Sequence, residues 1–236
     1  MSVTYRLDGH VAVVTLDDGK ANALGHDVLD ALDQALDRAE ADPDARAVLL
    51  AGRPGRFSAG FDLATMTAGV DEMRALVGAG ARLIARLLME PLPVVAACTG
   101  HALAAGALLL LACDHRVGGR GEFKIGLNEA AIGMALPVWA VELARYRMPP
   151  SALDQVIVGQ VGGPDEACAA GFLDRVVDPD QLLDEAVALA SRLAGLRTGV
   201  VAATKTRLRA EVARRMLDGI DEDLAGLAMP TPAPRS

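Results

Sequence analysis

The chain has 236 residues, a formal net charge of −8 and a hydrophobic fraction of 52%, with only 3% aromatic residues. That length accommodates a sizeable core, either as one large domain or as a core with a smaller appendage, and the scarcity of aromatics means Ala, Leu and Val must fill it. Three lysines (Lys20, Lys124, Lys205) and no basic run exclude a nucleic-acid footprint, and the longest apolar run, Ala102 to Cys113, is too short to span a bilayer.

Val3–Leu7 and Val11–Leu16 alternate around Asp8-Gly9 and predict a β-hairpin. A strand so near the start predicts no leader peptide. Cys98, Cys113 and Cys168 lack metal-like spacing and are expected to be inert thiols in a reducing cytoplasm. Asp27–Ala39 is a periodic helix in which Val28, Leu29, Leu32, Ala35 and Leu36 share a face. After Asp42-Pro43-Asp44, Arg46–Ala51 predicts a buried strand. Asp71–Met89 predicts a long helix stopped by Pro91 and Pro93, and Val94–Ala97 the next strand. A helix follows from Ala105, then short strands at His115–Val117 and Glu122–Ile125. Pro137–Tyr146, Ser151–Val158 and Asp165–Ala170 predict helices, and Phe172–Val177 a strand. Gln181–Leu196 and Thr198–Leu227 predict terminal helices, before a Pro-rich end expected to be disordered.

This order is not a plain alternation of strand and helix. It predicts an α/β core over residues 1–180, a helical segment over 181–228 and a tail over 229–236. The terminal helices have little core of their own and are expected to pack on the core or on a neighbouring subunit.

Two small-residue turns carry the functional signal. Phe57-Ser58-Ala59-Gly60-Phe61-Asp62-Leu63 follows one buried strand, and Gly100-His101-Ala102-Leu103-Ala104-Ala105-Gly106 follows the next. A strand turning sharply into a helix leaves backbone N–H groups unpaired. Two such turns face to face can bind one developing oxyanion. Glu129 lies in an apolar, Gly-punctuated stretch, Ile125 to Gly133, which raises its proton affinity as a general base requires. Leu108 stands three residues beyond Ala105 on the same helix face and offers no second carboxylate. Gly78-Ala79-Gly80 lies within a helical pattern and is not a dinucleotide loop, while Ser58 has no well-placed His to make it a hydrolase nucleophile. His101 and His115 are isolated and are read as packing or hydrogen-bonded residues.

From Val3 to about Leu227 the chain resembles the crotonase (enoyl-CoA hydratase/isomerase) superfamily. Arg53 to Leu63 is similar to that family's first oxyanion loop, Gly100 to Asp114 to its second, and Lys20-Ala21-Asn22-Ala23-Leu24 to its Asn-Ala-Leu signature. The resemblance implies a spiral core of ββα units with trimerising C-terminal helices, and a homotrimer or dimer of trimers. It implies oxyanion donors at the amides of Ala59 and Ala105, with acyl-CoA contacts from Lys20, Ala21, Leu24, Gly60, Phe61, Asp62, Leu63, Gly106 and Leu108. Coenzyme A would enter as part of the substrate, with no metal or redox cofactor.

Hydratases of this family resemble one another in carrying two glutamates; here the first position is Leu108 and the second Glu129. Ile125-Gly126-Leu127-Asn128-Glu129, with Arg53-Pro54-Gly55 and Phe57-Ser58-Ala59-Gly60 earlier, is most similar to mitochondrial-type Δ3,Δ2-enoyl-CoA isomerases, which also work with the single later glutamate. It implies a 3-enoyl-CoA isomerase; the alternatives are an enoyl-CoA hydratase and a non-catalytic acyl-CoA-binding homologue. An RNA-binding relative would need a basic surface that the composition lacks. The family usually carries Gly-Gly in the second loop, and the Ala104 and Ala105 methyls found here narrow the expected acyl tunnel. Lys205 and Arg209 are candidates for the coenzyme A phosphates, or else solvated surface charges.

Overall fold

The structure is a computed structural model that describes residues 2–227, so the tail expected at 229–236, and residue 228 before it, lie outside the described residues. Strands β1 (Val3–Asp8) and β2 (Val11–Leu16) form the expected hairpin, with Gly9 at φ 58° in its turn. After β3 (Ala23–Leu24) and helix α1 (His26–Ala41) come β4 (Ala47–Gly52), β5 (Gly55–Ser58) and β6 (Gly60–Phe61). Helices α2 (Leu63–Ala68) and α3 (Val70–Met89) follow, then β7 (Val94–Cys98), β8 (Gly100–Leu103) and α4 (Ala105–Ala112). The chain continues through β9 (His115–Gly119), β10 (Ile125–Gly126), α5 (Val138–Arg147), α6 (Leu153–Ile157), α7 (Pro164–Ala169) and β11 (Arg175–Val177). It closes with α8 (Leu182–Ala194), α9 (Thr198–Leu217) and α10 (Ile220–Gly226).

The main sheet has six strands in the order β1-β2-β4-β7-β9-β11, all parallel except the β1–β2 hairpin. Parallel strands covered on both faces must be apolar throughout. Accordingly, β4 and β7 are buried at every residue. One face, with Val14, Val48, Leu50 and Val94, packs against α1, α3 and α4. The other, with Val13, Leu49 and Val95, packs against a stripe of α8 formed by Leu182, Ala186, Ala190 and Ala194. Residues four apart share a helix face, and alanine there lets the helix lie close on the sheet. Helix α9 packs on α3 and α5, so the terminal helices lie on their own core. No single described helix is long and apolar enough to cross a membrane.

Two small sheets stand beside the main one: β10-β8-β5, and β3 with β6. None of β3, β5, β6 or β8 was expected, since strands of two to four residues carry no legible alternation. The strand expected at Glu122–Ile125 is only Ile125–Gly126, and that expected at Phe172–Val177 starts at Arg175, because Phe172 and Leu173 plug the core instead. The helix expected over Ser151–Val158 splits into a 3-10 turn at Pro150–Ala152 and α6. The helix expected from Thr198 to Leu227 breaks at Gly219, whose φ of 78° ends α9.

Candidate active site

The first small-residue turn is built on Asn22. Its backbone sits at φ 54° and its side chain is 1% exposed. Asparagine tolerates this left-handed region better than most side chains do. Asn22 Nδ2 donates to the carbonyls of Leu16 (2.9 Å), Arg56 (3.1 Å) and Phe57 (3.1 Å), which clamps the end of β2 to β5. The Asn22 carbonyl accepts the Ser58 hydroxyl at 2.8 Å, and Ser58 Oγ accepts the Gly60 N–H at 3.2 Å. Asp62 caps α2 by accepting the Thr65 N–H at 2.8 Å.

The Ala59 amide donates to the Ala21 carbonyl at 3.0 Å, so it is occupied within the protein and is not free to hold an oxyanion as expected. The cause is the β3–β6 ladder, which brings Ala21 alongside this loop. In that ladder Leu24 pairs with Phe61, and Leu24 accepts the Asp62 N–H at 3.1 Å. The bonds of a parallel ladder run from Leu24 to the neighbours of its partner, so Phe61 turns its own N–H outward. Its ring fills the space left by Gly80 on α3, where a Cβ would overlap Phe61 Cε1 and Cζ. The glycine pair rejected as a nucleotide loop is therefore a seat for side chains.

The second turn is held mainly by main-chain bonds. Ala104 donates to the Gly126 carbonyl at 3.1 Å, and its own carbonyl accepts the N–H groups of Ala107 (2.9 Å) and Leu108 (3.1 Å). Ala104 has φ 49° and ψ −124°, a conformation that a side chain strains. Helix α4 begins at Ala105, whose amide makes no hydrogen bond among the described residues. The two turns touch: a Cβ on Gly60 would lie 2.9 Å from the Leu103 carbonyl and 3.3 Å from Ala105 N. A Cβ on Gly106 would overlap the Ser58 carbonyl and come within 2.8 Å of Ser58 Cβ.

Glu129 follows three residues after β10, whose parallel register beside the second turn pairs Ile125 with Ala102 and Gly126 with Leu103. It opens a 3-10 turn (Glu129–Ile132) that ends at Gly133, φ 74°. The side chain is 8% exposed, and Oε2 has no hydrogen-bond partner. Burial pushes its carboxyl up to about 7, against a smaller opposing pull from a hydrogen bond to its own backbone N–H. Glu129 borders a cavity between this turn, α5 and α6, lined by Met134, Leu136, Val141, Leu153 and Val156.

The other expected contacts divide into three groups. Ala21, Gly60 and Phe61 meet at the first turn, and Gly106 touches its Ser58. Lys20 and Leu63 are exposed, Leu63 at 69%, and the Asp62 carboxylate is committed to its cap. Leu24 and Leu108 are buried in the core. Lys205 and Arg209 are neither surface charges nor free cations. Lys205 Nζ lies 2.6 Å from Asp114 Oδ2 and donates to the Glu90 and Leu92 carbonyls, while Arg209 Nη1 donates to Asp114 Oδ1 (2.6 Å) and the Leu88 carbonyl. Of the two histidines, His101 packs edge-on to Phe123 and accepts the Lys124 N–H, whereas His115 is exposed. Asn22 and Ser58, given no role on sequence grounds, are the centre of the first turn. Asn22 was visible in the Asn-Ala-Leu signature, but only its contacts reveal its task.

Comparison with known proteins agrees with this architecture. The chain is similar to a putative enoyl-CoA hydratase of Thermus thermophilus, 39% identical over 93% of this chain and 88% of the relative. An enoyl-CoA hydratase/isomerase family protein from Pseudomonas syringae superimposes with a TM-score of 0.93 at 40% identity, covering 96% of this chain and 98% of that one. Human mitochondrial delta3-delta2-enoyl-CoA isomerase superimposes with a TM-score of 0.90 at 28% identity, over 95% of this chain and 90% of that one. The family described as enoyl-CoA hydratase/isomerase matches residues 6–229, and with the spiral core and its C-terminal helices this places the chain in that crotonase family, whose substrates are acyl-CoA thioesters.

Proposed function

We propose that this protein is a 3-enoyl-CoA isomerase. Glu129 removes a proton from C2 of the thioester, the electrons move onto the thioester oxygen, and the enolate is held by backbone N–H groups. Glu129 then returns the proton to C4, so the double bond moves from C3–C4 to C2–C3. Ala105 supplies one donor, as the sequence implies. The other is reassigned from Ala59 to Phe61, because the Ala59 amide is already bonded to Ala21. Each such donor contributes about 3 kcal/mol to the barrier reduction.

Glu129 carries this reading. It is a buried carboxyl with a proton affinity near neutrality, and it is the one carboxylate lining its cavity among the described residues. Leu108 supports isomerase over hydratase, since hydration needs a second group to hold water and an apolar side chain stands there. The hydratase reading draws on the name of the Thermus relative. The reading includes a homotrimer or dimer of trimers, supported by the exposed apolar side chains Leu196, Val200 and Leu208 on and before α9. Coenzyme A is part of the substrate, and no other cofactor is invoked.

The test is turnover of a 3-enoyl-CoA beside hydration of a 2-enoyl-CoA. Isomerisation should dominate, rise with pH through about 7 as Glu129 loses its proton, and fall about 10³-fold in Glu129→Gln. Hydration as fast as isomerisation would make it a hydratase. Binding without turnover of either would make it a non-catalytic homologue.

A further inference from the structure

Ser58 lies in the first turn, against the second, and is not used by the chemistry. It is fully buried, at 0% exposure. Its hydroxyl donates to the Asn22 carbonyl at 2.8 Å and accepts the Gly60 N–H at 3.2 Å. Both directions of hydrogen bonding are thus spent inside the loop, and none of its partners is a base. The Asn22 carbonyl that receives it is itself fixed, because the Asn22 side chain is tied to three other carbonyls. Gly60, which donates to it, immediately precedes Phe61.

The other side of Ser58 faces the second turn. Its carbonyl and Cβ are the atoms against which Gly106 packs, in the first turn of α4. Gly60 in turn faces Leu103 O, Ala104 Cβ and Ala105 N. One residue therefore sets the course of the chain into Phe61 and abuts the helix turn that presents Ala105. We propose that Ser58 is a positioning residue that fixes the spacing of the two enolate-binding amides. This rests on the isomerase reading for its consequence, and on the hydrogen bonds and glycine contacts for its geometry.

Without the hydroxyl, the Gly60 N–H loses its acceptor and the Asn22 carbonyl its donor, so the loop is free to shift. A small misplacement of groups that act together on one atom is costly to catalysis. The test uses full-length Ser58→Ala and Ser58→Cys; the thiol keeps a weak donor and acceptor. Isomerase kcat should fall about 10- to 100-fold in Ser58→Ala, with KM changed less than about threefold. The infrared carbonyl stretch of bound hexanoyl-CoA, lowered by the two donors in the wild type, should move back toward its free value. Ser58→Cys should lie between the wild type and Ser58→Ala in both measurements.

Unchanged kcat and carbonyl stretch in the folded variants would overturn the proposal. If Ser58→Ala does not fold, Ser58→Cys decides: an intermediate carbonyl stretch supports the role, and a wild-type value sinks it. Wild-type turnover lost in Glu129→Gln but kept in Ser58→Ala leaves the isomerase reading standing and removes only this inference. If the wild type turns over neither substrate, the isomerase reading fails, and the carbonyl stretch alone decides the positioning role.

Discussion

The two turns are held by different balances of contact. The first adds side chains to its short β3–β6 ladder: the Asn22 amide, the Ser58 hydroxyl and the Phe61 ring in its seat at Gly80. It runs into α2, a six-residue helix with only Met66 buried. The second is held by main-chain bonds and bulk: every residue of α4 is buried, and Ala104 is forced to φ 49°. The difference teaches that one jaw of the site is set by replaceable contacts and the other by the packing of the whole fold. Substitutions near the first should tune activity, and loss of the Ala105 N–H in the second should switch it off.

The largest expected effect is in the second turn. Ala105→Pro removes the N–H at the first helical position, where proline is otherwise tolerated. Turnover should fall about 10²- to 10³-fold with helix content retained by circular dichroism. A folded, fully active variant would show that this jaw holds nothing.

A smaller effect is expected in the first turn from Gly80→Ala. The new methyl would displace the Phe61 ring and with it the neighbouring amide. Turnover should fall about tenfold, while thermal stability drops by no more than about 3 kcal/mol. If turnover holds while stability falls, the ring is only filling space and the contrast between the jaws weakens.

The smallest effect should come from Ala104→Gly. Relief of the strained conformation is worth about 1–3 kcal/mol, and the flexibility of glycine takes back about 0.5–1 kcal/mol. A gain of about 1 kcal/mol should raise Tm by about 2–4 °C, with turnover unchanged. A lower Tm would mean that the alanine methyl packs more than it strains.

The orphaned Ala105 amide and the buried Glu129 were legible in the sequence, and the bond that occupies the Ala59 amide was not. Ala105 opens a helix after a strand, so its amide is orphaned by local geometry alone. Glu129 sits in an apolar run, and burial gives it the proton affinity expected. The Ala59 amide is consumed by Ala21 through a two-residue strand pairing between segments far apart in sequence. No periodicity announces such a pairing. Lys205 and Arg209 were misjudged for a similar reason: local sequence shows a polar helix, and only tertiary structure shows the carboxylate of Asp114 between them.

That triad of charges also bears on the order of events in folding. Lys205 reaches carbonyls at Glu90 and Leu92, 115 and 113 residues earlier, and Arg209 meets Asp114 across 95. Asp114 follows directly on α4 and Cys113, and accepts the Val94 N–H at the start of β7. Contacts this distant in the chain close late, after local structure has formed. During synthesis on the ribosome, the Arg209 contact can therefore form only some ninety residues after Asp114. The nascent chain holds Glu129 and both turns well before that contact can close.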